Sequence, residues 1–235
     1  MTSVLLFDID GTLVLTGGAG VRAMARAFEE LWGVKDAAGH VSMAGRTDAW
    51  VLAEVAAAHS LSVGAPELAR FRDIYLKHLP VELEKPGPRK GVMPGVRVLL
   101  DALAGRDDVH LALLTGNYEH GARAKLEYFD LWRYFRGGAF GDTALDRNSL
   151  LHEALASVAL LGGPAVSGSQ TIVIGDTPRD VACAASAGAR SLAVATGGYS
   201  SAQLRAAGAD VVFEDLGDTL AVISEIDRLG RVSFQ

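Results

Sequence analysis

The chain has 235 residues, 49% of them apolar, and a net charge of −6 from 22 basic and 28 acidic side chains. That length suits one large α/β domain or a domain with a smaller inserted lobe, and an acidic balance without a basic block argues against nucleic acid as the main partner. A single cysteine, Cys183 in an Ala-rich setting, excludes an intrachain disulfide framework, fits a reducing cytoplasm and is expected to pack as a small apolar side chain.

The first element is the run Ser3-Val4-Leu5-Leu6-Phe7, too short for a signal peptide and apolar enough for a strand covered on both faces. Asp8-Ile9-Asp10-Gly11-Thr12 follows at once. The pattern then turns helical. Val21, Met24, Ala25, Phe28, Leu31 and Trp32 fall at helical spacing within 18–32, and 47–60 and 65–79 read the same way, with Thr47 and Ala65-Pro66 as starts. No strand pattern occurs between about 16 and 90, and Glu84-Lys85-Pro86-Gly87-Pro88-Arg89-Lys90-Gly91 reads as a linker.

Beyond Pro94 helices and strands alternate. Helices are predicted over 94–105, 118–130, 148–161, 178–187, near 201–207 and near 217–228, and strands over 109–114, 171–175, 191–195 and 211–213. The apolar stretch 154–166 is broken by Ser157, Gly162, Gly163 and Pro164 and falls short of the roughly 20 residues that span a bilayer. Alternation of this kind gives a doubly wound, right-handed parallel sheet, an α/β Rossmann-like core. The expected organisation is a core of residues 1–15 and 91–235 with an all-helical lobe, 16–90, inserted after the first strand and hinged near 15 and near 90.

Three predicted strands end in polar groups: Asp8 after the first, Thr115-Gly116-Asn117 after Leu111-Ala112-Leu113-Leu114, and Asp176-Thr177-Pro178-Arg179-Asp180 after Thr171-Ile172-Val173-Ile174-Gly175. In a parallel sheet these ends share one edge, where such proteins bind ligands. Asp8, Asp10, Thr115, Asn117, Asp176 and Asp180 should therefore cluster. Unpaired buried carboxylates cost several kcal/mol or more, and no Lys or Arg is adjacent to Asp8 and Asp10, so a cation or a phosphoryl-transfer site resolves them. Hard carboxylate oxygens match Mg²⁺, and a hydroxyl with free amides at a helix start matches phosphate oxygens.

In these motifs the chain resembles the haloacid dehalogenase-like superfamily, in the branch with a helical cap after the first strand, and phosphoglycolate phosphatase-type members in particular through Asp176-Thr177-Pro178 and the cap size. The resemblance runs over essentially the whole chain. It implies that Asp8 is the nucleophile, Asp10 the general acid/base, Thr115 a phosphoryl-binding group, and Asp176 a carboxylate ligand of a metal shared with Asp8 and Asp10. It places Asp180 just outside the ligand set. The family's third motif usually carries Lys. Here the stretch is Asp146-Arg147-Asn148-Ser149-Leu150, so Arg147 is the candidate. It keeps the charge and can bind phosphate bidentately without matching Lys in geometry. Lys125 competes, but mid-helix it is expected to be solvated.

The implied activity is a Mg²⁺-dependent cytoplasmic phosphatase, monomer or homodimer, acting on a small phosphomonoester held by Thr115, Gly116 and Asn117, with no nucleic acid or membrane partner. In the cap, Gly45-Arg46-Thr47-Asp48 offers Arg46 as a substrate contact; a helix start capped by Thr47 would serve equally well structurally. A phosphosugar mutase of the same superfamily shares these motifs. A non-catalytic phosphate- or metal-binding regulator would be expected to have lost a catalytic Asp. The Gly18-Ala19-Gly20-Val21-Arg22-Ala23 stretch begins too far from its strand for a dinucleotide fingerprint, and no Walker A, zinc spacing or Gly-x-Ser-x-Gly elbow is present.

Overall fold

A computed structural model describes residues 3–37, 41–142, 144 and 146–232. In chain order the first part comprises β1 (Ser3–Phe7), β2 (Val14–Leu15), α1 (Ala19–Trp32), α2 (Asp48–Ala58), α3 (Ala65–Glu84) and β3 (Gly91–Val92). The remainder comprises α4 (Val96–Ala104), β4 (Val109–Leu114), α5 (Glu119–Tyr128), β5 (Gly138–Ala139), α6 (Leu150–Leu160), β6 (Thr171–Gly175), α7 (Pro178–Ser186), β7 (Arg190–Val194), α8 (Ser201–Ala206), β8 (Val211–Phe213) and α9 (Thr219–Val232).

Strand alternation explains the layering. Leu5, Phe7, Leu111, Leu113, Ile172 and Ile174 point to one face of the sheet and pack under α4, α5 and α9. Val4, Leu6, Ala112, Leu114 and Val173 point to the other and pack under α6 and α7, where Cys183 is a buried apolar contact as expected. Successive side chains of a strand face opposite ways, so a sheet covered on both sides needs apolar residues at every position. The sheet has six parallel strands in the order β5-β4-β1-β6-β7-β8, an α/β fold as predicted. β1 lies between β4 and β6, which brings the three polar strand ends side by side.

Helices α1, α2 and α3 share a separate apolar cluster built around Phe28, Val55, Phe71 and Leu79, with the Phe28 and Phe71 rings 4.7 Å apart. β2 pairs antiparallel with β3, so the chain leaves and re-enters the sheet region through one short ribbon. Gly17 and Gly87 cross so closely there that a Cβ on Gly87 would lie 2.1 Å from the Gly17 carbonyl oxygen.

Two expectations are revised. Helix α3 runs on through Pro80 to Glu84, five residues past its predicted end and into the expected linker. Burial of Leu79 and Leu83 holds the extra turn, as do ion pairs from Arg22 (2.8 Å), Arg26 (2.6 Å) and Lys85 (2.6 Å) to the buried Glu82 carboxylate. Tertiary packing here outweighs the hydrogen bond that proline removes. The two-residue strands β2, β3 and β5 were not predicted, because two residues carry no periodicity. No helix among the described residues is long and apolar enough to cross a membrane.

Candidate active site

The end of β1 delivers Asp8 into the protein with 4% of its surface exposed. One carboxylate oxygen, Oδ1, lies 2.9 Å from Arg147 Nη2. The same nitrogen is 2.5 Å from Asp180 Oδ1 and donates to the Leu114 carbonyl at 3.0 Å. Arg147 is buried, as is the motif around Asp180. There the Thr177 hydroxyl and N–H donate to Asp180 Oδ2 at 2.7 and 3.0 Å, and Pro178 opens α7 at its first turn. This capping box fixes the Asp180 carboxylate toward Arg147.

Asp176 completes the acidic group. Single oxygens of Asp8, Asp176 and Asp180 lie within 4.8 Å of one another. Glycines make room for Asp176: a Cβ on Gly197 would stand 1.7 Å from its Oδ2, and one on Gly11, at φ +92°, would stand 2.5 Å away. Burial pushes the Asp8 carboxyl up to about 6, against the pull of Arg147 and with the help of the Asp180 charge. Asp176 is pushed up as well, by burial and then by the charge on Asp8. Three close carboxylates with one guanidinium between them are short of positive charge. Hard oxygen donors in that setting fit a divalent cation such as Mg²⁺.

Asp10 stands apart from this group, with its side chain 40% exposed. Its Oδ2 accepts from Lys125 Nζ at 2.6 Å and from Asn117 Nδ2 at 2.8 Å. The Lys125 ammonium also donates to Asn117 Oδ1 at 2.5 Å. The expectation of a solvated Lys125 is therefore overturned, since the residue is 5% exposed. Its face of α5 explains why: Gly121, Ala122, Lys125 and Leu126 form the buried stripe. Counting helical positions along that stripe was the signal that could have found it.

Thr115 is wholly buried, and its Oγ1 accepts from Asn117 Nδ2 at 2.7 Å and from Asn117 N–H at 3.3 Å. The hydroxyl proton has no acceptor among the described residues. β5 props this turn: Thr115 N–H donates to the Ala139 carbonyl at 3.1 Å, and Gly141 N–H to the Asn117 carbonyl at 2.8 Å.

The helical lobe roofs the site. Thr47 caps α2 by accepting from Trp50 N–H at 3.1 Å. Asp48 N–H donates to the Gly116 carbonyl at 2.7 Å, and Asp48 Oδ2 accepts from Tyr118 N–H at 2.8 Å. The backbones meet so closely that a Cβ on Gly116 would lie 2.0 Å from the Arg46 carbonyl oxygen. The Arg46 guanidinium sits 3.9 Å from the centre of the Trp50 ring and makes no ion pair among the described residues. Core and lobe enclose a cavity of about 290 Å³, lined by Asp8, Asp10, Thr115, Lys125 and Asp176 below and by Arg46, Asp48 and Tyr75 above. The sequence reading set Lys125 aside as solvated, named Asp48 only as part of a helix start, and missed Tyr75.

The haloacid dehalogenase-like hydrolase family model matches residues 5–185. The chain belongs to that family. This haloacid dehalogenase-like hydrolase is 33% identical to a phosphoglycolate phosphatase of Rhodospirillum rubrum over 246 aligned positions, 98% of this chain and 96% of the relative. It is 27% identical to the probable phosphatase IndB of Dickeya dadantii, over 97% and 96% of the two chains. A hydrolase from Pseudomonas syringae has the same fold, with a TM-score of 0.71, 23% identity and coverage of 96% of this chain and 99% of that one. By family and by the Rhodospirillum rubrum relative, the chain is a haloacid dehalogenase-type phosphatase.

Proposed function

We propose that this phosphatase is Mg²⁺-dependent and hydrolyses a small phosphomonoester, of the phosphoglycolate or sugar-phosphate kind, through an aspartyl-phosphate. The observation that carries the reading is the buried Asp8 carboxylate at the centre of the sheet edge, facing a cavity lined by Thr115, Arg147, Asp10 and Asp176.

In the first step an Asp8 carboxylate oxygen bonds to phosphorus as the bond from phosphorus to the leaving oxygen breaks. Asp10 gives that oxygen a proton. In the second step Asp10 takes a proton from water as the water oxygen attacks phosphorus, and the bond to Asp8 breaks. The unclaimed Thr115 proton and the Gly116 N–H bind phosphoryl oxygens, and Asn117 holds the Thr115 hydroxyl in place for them. Arg147 orients Asp8 and supplies positive charge beside the reaction.

Asp8 and Asp176 would hold Mg²⁺, which when bound offsets the negative charge of carboxylates and phosphate together. Asp180 is committed to Thr177 and Arg147, which suits a place just outside the ligands. Asp10 Oδ2 is committed to Lys125 and Asn117, so any share of Asp10 in metal binding falls to its other oxygens. Residues 16–90 would act as a closing cap that excludes water and selects the substrate. The test is phosphate release from a panel of phosphomonoesters with and without Mg²⁺. Release that requires the metal supports the reading. Transfer of the phosphoryl group between sugar positions with little release would make the protein a mutase.

A further inference from the structure

We propose that Lys125 is the positioning residue for Asp10: with Asn117 it occupies Oδ2 and leaves Oδ1 as the oxygen that exchanges the proton. The inference rests on the reading of Asp10 as the acid–base group.

The geometry is asymmetric. Oδ2 receives two donors, Lys125 Nζ at 2.6 Å and Asn117 Nδ2 at 2.8 Å, while Oδ1 has no partner among the described residues. A carboxyl group whose one oxygen already accepts two hydrogen bonds carries its proton on the other. Asp10 has 40% of its side chain exposed, and these two donors are the only hydrogen-bond partners of its carboxylate among the described residues. The donors come from a rigid place. Asn117 also binds Thr115 Oγ1 at 2.7 Å, and Lys125 accepts no freedom of its own, being buried on α5 and tied to Asn117 Oδ1 at 2.5 Å. Proton donor and phosphoryl-binding hydroxyl therefore belong to one network, and their relative placement is set by α5.

The setting of the ammonium is costly enough to need a reason. Burying an unpaired ammonium costs several kcal/mol, which an anion and an amide oxygen here offset. Helix α1 closes over it: Gly20 faces the ammonium, and a Cβ there would make ordinary contact with Nζ at 3.4 Å and with the Tyr75 hydroxyl at 3.9 Å. Both acceptors of Nζ belong to the acid–base group and its amide neighbour, and neither is the Asp8 carboxylate or the acidic group around it.

The test compares Lys125→Met with wild type on an alkyl phosphate and on 4-nitrophenyl phosphate, whose leaving group needs no proton. A misplaced acid–base group loses on the order of 10²-fold. The expected result is that single-turnover cleavage of the alkyl phosphate falls about that much and the 4-nitrophenolate burst stays within about threefold of wild type. Steady-state turnover should then slow, because water activation also needs Asp10, with KM little changed. Lys125→Arg, which keeps charge and donors, should recover part of the lost rate. Equal losses on burst and alkyl cleavage with a raised KM would make Lys125 a phosphoryl ligand, and unchanged rates would make it a structural residue; either overturns the proposal. Should Lys125→Met fail to fold, Lys125→Ala assayed with and without ethylammonium takes its place, and absence of rescue overturns the proposal. Asp10→Asn is measured alongside. Wild-type rates in that variant would sink the acid–base reading itself, whereas a slow Asp10→Asn beside a fast Lys125→Met would sink only the role of Lys125.

Discussion

Asp8 is held in a form that costs the protein stability. Burial pushes its carboxyl up to about 6, ahead of the opposing pull from Arg147. Asn has the same shape without the charge. Asp8→Asn should lower turnover at least about 10³-fold, as loss of a nucleophile does. In metal-free buffer the variant should melt no lower than wild type, because repulsion with Asp176 and Asp180 is relieved. Phosphate release near the wild-type rate would refute the nucleophile assignment. The same carboxyl couples metal to pH. Below about 6 Asp8 holds a proton that a cation must displace, so Mg²⁺ affinity should weaken as pH falls through that value. Asp176→Ala should weaken it at every pH, read as a smaller Mg²⁺-induced rise in melting temperature. Equal rises in variant and wild type would remove Asp176 from the ligand set. At this scale Asp8, Asp176, Asp180 and Arg147 were legible because each follows a strand or precedes a helix in a fixed order. Lys125 was not, because its partner Asp10 is distant in sequence and only the rotation of α5 brings the two together.

Elements were legible in proportion to their length. β1, β4 and β6 are mostly apolar runs whose C-terminal ends lie where the sequence pattern puts them, which is why the polar groups after them could be read as sharing one edge. β5 has two residues and no pattern, yet it supports the Thr115 turn. Helix α2 was placed by its Thr47 cap, but its first residue has a role that no local pattern shows. Asp48 ties α2 to the start of α5 through Tyr118 N–H at 2.8 Å. Burial pushes its carboxyl up to about 7, with Lys125 opposing and the Asp10 and Asp142 charges adding. The folded protein thus keeps a proton that the unfolded chain releases near pH ~4. Stabilisation from this group is full below about 4 and is lost as pH rises through 7. Asp48→Asn keeps the acceptor for Tyr118 and has no charge to bury. Its unfolding free energy should therefore gain on wild type by up to roughly 1.4 kcal/mol per pH unit between about 4 and 7, then hold constant. Urea unfolding across that range decides it. Parallel curves would mean that the buried carboxyl titrates normally and that the tie to α5 carries no pH dependence.

On the proposed reading the sheet carries the chemistry and the helical lobe covers it. The apolar cluster of α1, α2 and α3 extends to Tyr118 at the start of α5, the β2–β3 ribbon joins the lobe to the sheet region, and Asp48 N–H binds the Gly116 carbonyl. Specificity should then reside in side chains of the lobe that enter the cavity. Arg46 combines a guanidinium without an ion pair among the described residues, a fixed orientation over the Trp50 ring and a place in the cavity wall. Such a cation favours a substrate with an anionic group beyond the phosphate. Loss of a charge-assisted contact of this kind is worth roughly 1.5–3 kcal/mol, or about tenfold or more in binding. Arg46→Ala should accordingly raise KM by that factor for a substrate with an anionic group beyond the phosphate, such as phosphoglycolate, and leave 4-nitrophenyl phosphate nearly unaffected, with kcat on the small ester preserved. Equal losses on both substrates would point elsewhere. The Arg46 carbonyl lies against Gly116, and a change there would disturb closure of the lobe rather than recognition. No change on either substrate would leave the stacked guanidinium as a surface contact with Trp50 and move the search for the second-anion site to other residues of the cavity wall.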